Sequence, residues 1–301
     1  MNLMNKIIRY INEWKIRNRS RIKEFRLSLH YFLKSPLAVV GLIIILGVVI
    51  IAIFAPYIAP YPEVYVDLEN RMLPPSWEHP FGTDDMGRDI FSRVIYGSRI
   101  SLQVGIVVIL VAYVVAIPLG TIAGYRGGLV DDAIMRVTDV FLAFPSIILA
   151  LAFAAALGPG IMNAMLALAL TWWPWATRII RSQALSIRES YYVQAAKALG
   201  ASDLYIILWH VIPNCIGPIV VQATVDFGWT LLVAASLGFL GLGAQPPAPD
   251  WGLMVSIGRV YFLTRPWLSL FPALAISIIV LGANLLGDGL RDVLDPRLRR
   301  R

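Results

Sequence analysis

Five stretches of this chain carry one charged side chain or none over lengths that only a membrane readily accommodates. They are Ser35–Pro62, Ile100–Tyr125, Val140–Thr177, Val211–Pro249 and Pro266–Gly287, and Asp226 is their one Asp, Glu, Lys or Arg. A helix crossing a bilayer takes about 20 mostly apolar residues, because every backbone N–H and C=O must be bonded within the segment. Each stretch is long enough for one span. The third runs for 38 residues, enough for two, and Gly158-Pro159-Gly160 near its middle is a turn signal. The pattern predicts an all-α polytopic membrane protein with six transmembrane helices. An even number places both termini on one side.

The basic residues choose the side. With the N-terminus inside, residues 1–34, 126–136, 178–210 and 288–301 are cytoplasmic and hold 20 of the 26 Lys and Arg. The remaining six, Arg71, Arg88, Arg93, Arg99, Arg259 and Arg265, fall outside. Cytoplasmic loops carry the excess of Lys and Arg, so both termini are expected in the cytoplasm. The net charge of +7 is then a basic inner face, not a nucleic-acid footprint. The basic N-terminal segment also suits anionic lipid headgroups. The single cysteine, Cys215, excludes a disulfide framework. The first apolar run is too long for a signal-peptide core. No internal repeat or soluble domain is visible. The expected organisation is a basic cytoplasmic arm at 1–34, the first transmembrane helix with an outer loop at 35–99, and a core of five transmembrane helices at 100–301. The core includes a cytoplasmic loop at 188–213.

That loop has the most specific pattern. Tyr192, Ala195, Ala196 and Leu199 share one helical face by their spacing, with Lys197 pointing away. Ala195 and Ala196 are small enough for another surface to approach the backbone. Gly200 suits a helix end, and Ser202 and Asp203 suit the start of the next helix. Leu204, Ile207, Leu208 and Val211 give the second helix an apolar stripe, and Pro213 marks entry to the fifth span. A short helix-turn-helix projecting into the cytoplasm is expected.

This segment resembles the EAA loop of ABC importer permeases, with matches at Ala195, Ala196, Gly200, Ile212 and Pro213 and a departure at Gln194, where the family has Glu. Pro80–Gly105, Gly124–Ala150, Ser236–Gly252 and Asn284–Arg297 resemble the second permease of oligopeptide, dipeptide and nickel importers, in the expected order. A second departure lies before Ser236, where the family commonly has an acidic residue and this chain has Ala234 and Ala235.

The resemblance implies an ABC type I importer permease fold in a prokaryotic inner membrane, and alternating access driven by other subunits. It implies that Gln194, Ala195, Ala196, Lys197, Leu199, Gly200, Ala201 and Asp203 form the coupling helix that contacts an ATPase. It also implies a homologous permease partner, two ATPase subunits that bind ATP and Mg, and an extracytoplasmic binding protein. The substrate is expected to be a dipeptide or oligopeptide, with oligosaccharide or nickel as alternatives within the family.

The chain has no phosphate-binding loop, so hydrolysis is expected elsewhere and no cofactor is expected here. No metal site is expected: His30, His79 and His210 are far apart and read as surface residues. Asp84 and Asp85 read as helix-start residues and Asp89 as an i,i+4 partner of Arg93. Trp172, Trp173 and Trp175 around Pro174 read as an interfacial anchor at a kink. Charges facing lipid are costly, so Asp226 and Asp139 are candidates for the translocation path. For Asp226 a hydrogen-bonded contact between helices is an equal alternative. An ion-coupled secondary transporter is the competing class. It would bring more buried ionisable residues and inverted repeats. An intramembrane protease is disfavoured, because Asp139 and Asp226 lie at different inferred depths.

Overall fold

The computed structural model describes residue 27 and residues 30–294. Most of the basic arm and the last seven residues lie outside this range. Among the described residues every regular element is helical, apart from an isolated bridge between Thr83 and Asp89.

Helix α1, Pro36–Ile53, begins with Ser35 accepting from the Ala38 N–H and with proline at its first position. Only Ala38, Gly41 and Ala52 are buried along it, as suits a helix whose solvent is lipid. It docks on the last helix, α11 (Trp267–Leu294), through small residues. A β-carbon on Gly41 would lie 2.4 Å from the Leu286 backbone, and one on Gly282 would lie 2.4 Å from Ile44. Such small-residue contacts let membrane helices approach backbone to backbone. A short α2, Ala55–Ile58, follows α1.

Helix α3, Ile90–Arg126, has 37 residues and is about 55 Å long, well beyond the hydrocarbon thickness. It starts ten residues before the expected span, so Arg93 and Arg99 belong to the helix and it runs through the 99/100 division. Its first turns therefore stand among the loops. α4, Gly128–Leu142, and α5, Ser146–Leu157, are bent by 84° at Pro145. Pro145 lacks the N–H that a continuing helix needs. The expected third span is thus a broken one, and α5 alone, at 12 residues, is too short to cross. The turn expected at 158–160 is present, with Gly158 at φ +85° and Gly160 at φ +147°.

Helix α6, Ile161–Arg188, packs along α3. By length and apolarity four helices can cross a membrane, or five if α4 and α5 form one broken span. The six expected spans are not reached on that measure, because Asn163, three tryptophans and Pro174 make α6 less apolar. Trp173 is buried against Phe141, and only Trp175 of the three is exposed. The aromatic cluster is therefore mainly packing and not an interfacial belt. The remaining elements are α7, Tyr191–Ala198, α8, Asp203–Ile206, a π-turn at Ile207–Val211, α9, Ile212–Phe239, and α10, Trp251–Gly258.

One end of the bundle carries a folded cap made from residues 59–89 and 244–266. Asp89 caps α3, accepting from the Ser92 N–H and hydroxyl at 2.7 Å each, and its other oxygen lies 3.0 Å from His79 Nδ1. His79 is buried, not a surface residue. Arg93 does not pair with Asp89, which is engaged by the cap. It donates to the Glu63, Pro247 and Ala248 carbonyls at 2.8, 3.1 and 3.3 Å and lies 3.6 Å from Asp84. Asp84 closes a turn by accepting from the Met86 and Arg88 N–H groups and pairs with Arg88 at 2.7 Å. Arg93 so ties both cap segments to α3.

Candidate functional site

The opposite end carries the 190–214 loop, and its turn is built by glycine. Leu199 caps α7 and Gly200 follows at φ +85°. The Ala201 N–H donates to the Ala196 carbonyl at 3.1 Å and the Gly200 N–H to the Lys197 carbonyl at 3.0 Å. These are the paired bonds of a Schellman motif, which requires the left-handed conformation at the residue after the cap. Ser202 then caps α8, accepting from Tyr205 at 3.4 Å. The expected turn and both helix boundaries are present. The second arm, however, does not end at Pro213: α8, the π-turn and α9 form one run from Asp203 to Phe239.

Val193, Ile206, Ile207, Val211 and Cys215 anchor the loop against Tyr125 and Ala184 at the ends of α3 and α6. Of the expected apolar stripe, Ile207 and Val211 are buried and Leu204 and Leu208 are exposed. The π-turn adds residues to one turn and rotates the buried row toward Ile206. Gln194, Ala195, Lys197, Leu199 and Gly200 are exposed, Ala196, Ala201 and Asp203 half-buried. Gln194 donates to the Glu189 carbonyl at 3.1 Å. Asp203 accepts from the Tyr125 hydroxyl at 3.3 Å and lies 3.6 Å from Arg126. Tyr125 and Arg126, which hold the loop to α3, are not marked by the loop's own pattern. Their position at the end of a charge-free run was the available signal. The exposed surface is rich in apolar side chains, Tyr191, Leu199, Leu204 and Trp209, beside the polar Gln194 and Lys197.

Asp226 is buried midway along α9. It accepts from the Tyr113 hydroxyl of α3 and from the Gln222 amide, each at 2.8 Å. The Tyr113 bond joins α3 to α9. Asp139 is not brought near it. It pairs with Arg178 of α6, and both side chains are about half exposed. One turn away Arg181 grips Asp131 with two nitrogens, a pair that the sequence reading did not find. Among the described residues no cluster of His, Cys, Asp or Glu has metal-binding geometry.

In the cap, Asp250 starts α10 by accepting from the Leu253 N–H at 2.8 Å. Burial pushes its carboxyl above the ordinary range. The native state then holds this proton more tightly than the unfolded chain, so stability falls as pH rises from about 4 through the raised value. Asp250→Asn keeps a capping oxygen and removes the ionisation. We expect the variant to lose that part of the pH dependence, measured by thermal unfolding in detergent between pH 4 and 8. An unchanged profile would show that Asp250 does not contribute.

A family described as the inner membrane component of binding-protein-dependent transport systems matches residues 116–300. The chain belongs to this family. The N-terminal transmembrane domain of oligopeptide transport permease C matches residues 24–75. The dipeptide transport system permease protein DppC of Alkalihalophilus pseudofirmus is 50% identical over 266 residues, covering 88% of each chain. The glutathione transport system permease protein GsiD of Escherichia coli O6:K15:H31 is 44% identical over 269 residues, covering 89% of each. Among solved structures, a chain of the MetNI methionine ABC transporter in an inward-facing conformation superposes with a TM-score of 0.56 at 19% identity. It covers 67% of this chain and 97% of that one, a likeness of fold. The chain is therefore a multi-pass permease component of an importer. Its loop and Asp226 both lie within the matched region.

Proposed function

We propose that this permease is one half of the membrane pathway of an ATP-driven peptide importer, taking dipeptides or short oligopeptides. The observation that carries the reading is the loop at 190–214, an exposed surface rich in apolar side chains on a glycine turn, in a chain half identical to a dipeptide permease. In this reading Gln194, Ala195, Ala196, Lys197, Leu199, Gly200, Ala201 and Asp203 form the surface that seats in a groove on an ATPase subunit, a helix-in-groove contact. ATP and Mg bind in two such subunits and hydrolysis occurs there. A second, homologous permease completes the pathway, and a substrate-binding protein docks on the cap. Asp226 steadies the bundle beside the path. Asp139, paired with Arg178 and half exposed, is the second candidate for the path.

The basic asymmetry supports both termini in the cytoplasm and the cap outside. α6 is the sixth span in this reading, since its 28 residues extend about 42 Å along α3. In a Cys215→Ala background, a cysteine at Asp67 should label only from outside. Labelling only from the cytoplasm would reverse the topology.

The substrate is tested by uptake of labelled dipeptides into vesicles holding the full complex and its binding protein. ATP-dependent uptake that persists when ion gradients are collapsed is the expected result. Uptake that follows a proton or sodium gradient and ignores ATP would instead identify the ion-coupled class. Uptake of nickel or oligosaccharide in place of peptide would correct the substrate alone.

A further inference from the structure

At the cap end of the bundle α1, α3 and α11 do not close against one another. A cleft of about 390 Å³ opens between them, walled by Val48 and Ile51 of α1, Phe91 and Val94 of α3, and Leu274 and Ile278 of α11. Its polar groups are already engaged. The Ser98 hydroxyl donates to the Ile95 carbonyl at 2.6 Å, and the Trp251 indole N–H donates to the Val94 carbonyl at 3.0 Å. A polar ligand would lose its hydration there and gain no side-chain partner, whereas hydrocarbon loses nothing.

Charge narrows the occupant further, because Arg99 stands beside the cleft. It follows Ser98 in α3 and donates to the Ala52 and Ile53 carbonyls of α1 at 2.6 and 3.2 Å, beside the Ile51 wall. It is nevertheless exposed, so a cation stands next to an apolar slot at the end of a span.

We propose that the cleft binds one acyl chain of a phospholipid, with Arg99 beside the phosphate. The proposal rests on the membrane reading and not on the identity of the substrate or of the ATPase. A bound lipid would fill the joint between α1 and α3, which otherwise meet over a short length.

The test uses the whole importer complex in vesicles containing phosphatidylglycerol with a diazirine midway along one acyl chain. Crosslinks are mapped by peptide mass spectrometry. The expected products lie at Val48 and Ile278, the cleft residues on the bilayer side of Arg99. Ala275 also lines it, so Ala275→Trp should reduce these crosslinks at least fivefold. Those at Leu110 and Val114, on the exposed flank of α3, should not change. Ser98→Leu, a milder filling, serves if the tryptophan variant fails to assemble. Arg99→Gln should reduce the cleft crosslinks about threefold. Crosslinks at Val48 and Ile278 that survive both fillings would overturn the site. So would their absence from the wild type, or capture of the partner permease from a cysteine at Leu274. Unchanged crosslinking in Arg99→Gln would overturn the headgroup assignment.

Discussion

Gly200→Val is expected to reduce peptide uptake at least tenfold while the permease still inserts and assembles. A β-carbon at this position meets nothing within 4 Å, so the effect is not a clash with neighbours. It comes from the backbone, which sits at φ +85°. A β-branched residue resists that conformation by about 1–3 kcal/mol. The Schellman bonds to Ala196 and Lys197 hold only while the left-handed turn holds. Losing it changes the angle between α7 and α8, and so the shape of the surface proposed to meet an ATPase. Gly200→Asn, which tolerates this conformation, should retain most activity. Substrate-stimulated ATP hydrolysis and uptake are measured together in reconstituted vesicles, with subunit content checked. Hydrolysis without uptake, or loss of the ATPase subunits, is the expected signature. Normal coupled uptake in Gly200→Val with every subunit present would remove the loop as the transmission point.

Asp226→Leu is expected to be the most destabilising single change within the bundle. It leaves the Tyr113 hydroxyl and the Gln222 amide without the acceptor that each now reaches at 2.8 Å. Each stranded group costs about 1–3 kcal/mol. Asp226→Asn keeps an acceptor for Tyr113 and should cost far less. Tyr113→Phe should lie between them, and combining it with Asp226→Leu should add little, since one hydrogen bond is lost once. The readout is thermal unfolding of the purified complex. Full additivity, or an unaltered melting temperature in Asp226→Leu, would show that this contact does not hold α3 to α9.

Four of the spans, the break at 158–160 and the loop's turn were legible because each rests on local chemistry: charge-free length, or a glycine where φ must be positive. The bend at Pro145 was legible in principle. It leaves no mark on charge, because Val140–Thr177 is uncharged throughout, and hydropathy does not register a broken direction. Charge partners were the least legible. Arg93 stands four residues after Asp89, the spacing of a helical ion pair, yet it reaches instead to backbone carbonyls 30 and 154 residues away. Spacing along one helix cannot reveal such partners, because they are set by how distant segments fold over one another. The same holds for Asp226, whose partner Tyr113 lies on a different helix.

The continuous run from Asp203 to Phe239 has a mechanical consequence. Twenty-three residues separate Asp203 from Asp226, about 35 Å of helix. A lever of that length, pinned at Asp226, turns a tilt of about 5° into roughly 3 Å of travel at the loop, by the helical rise alone. Conversely, a small push at the loop arrives at the fulcrum as a slight rotation with large mechanical advantage. The π-turn at Ile207–Val211 and Pro218 lie on the long arm, between the point of load and the pivot. They are where the rod can flex, so in the proposed coupling they would set how much of a stroke at the loop reaches the cap.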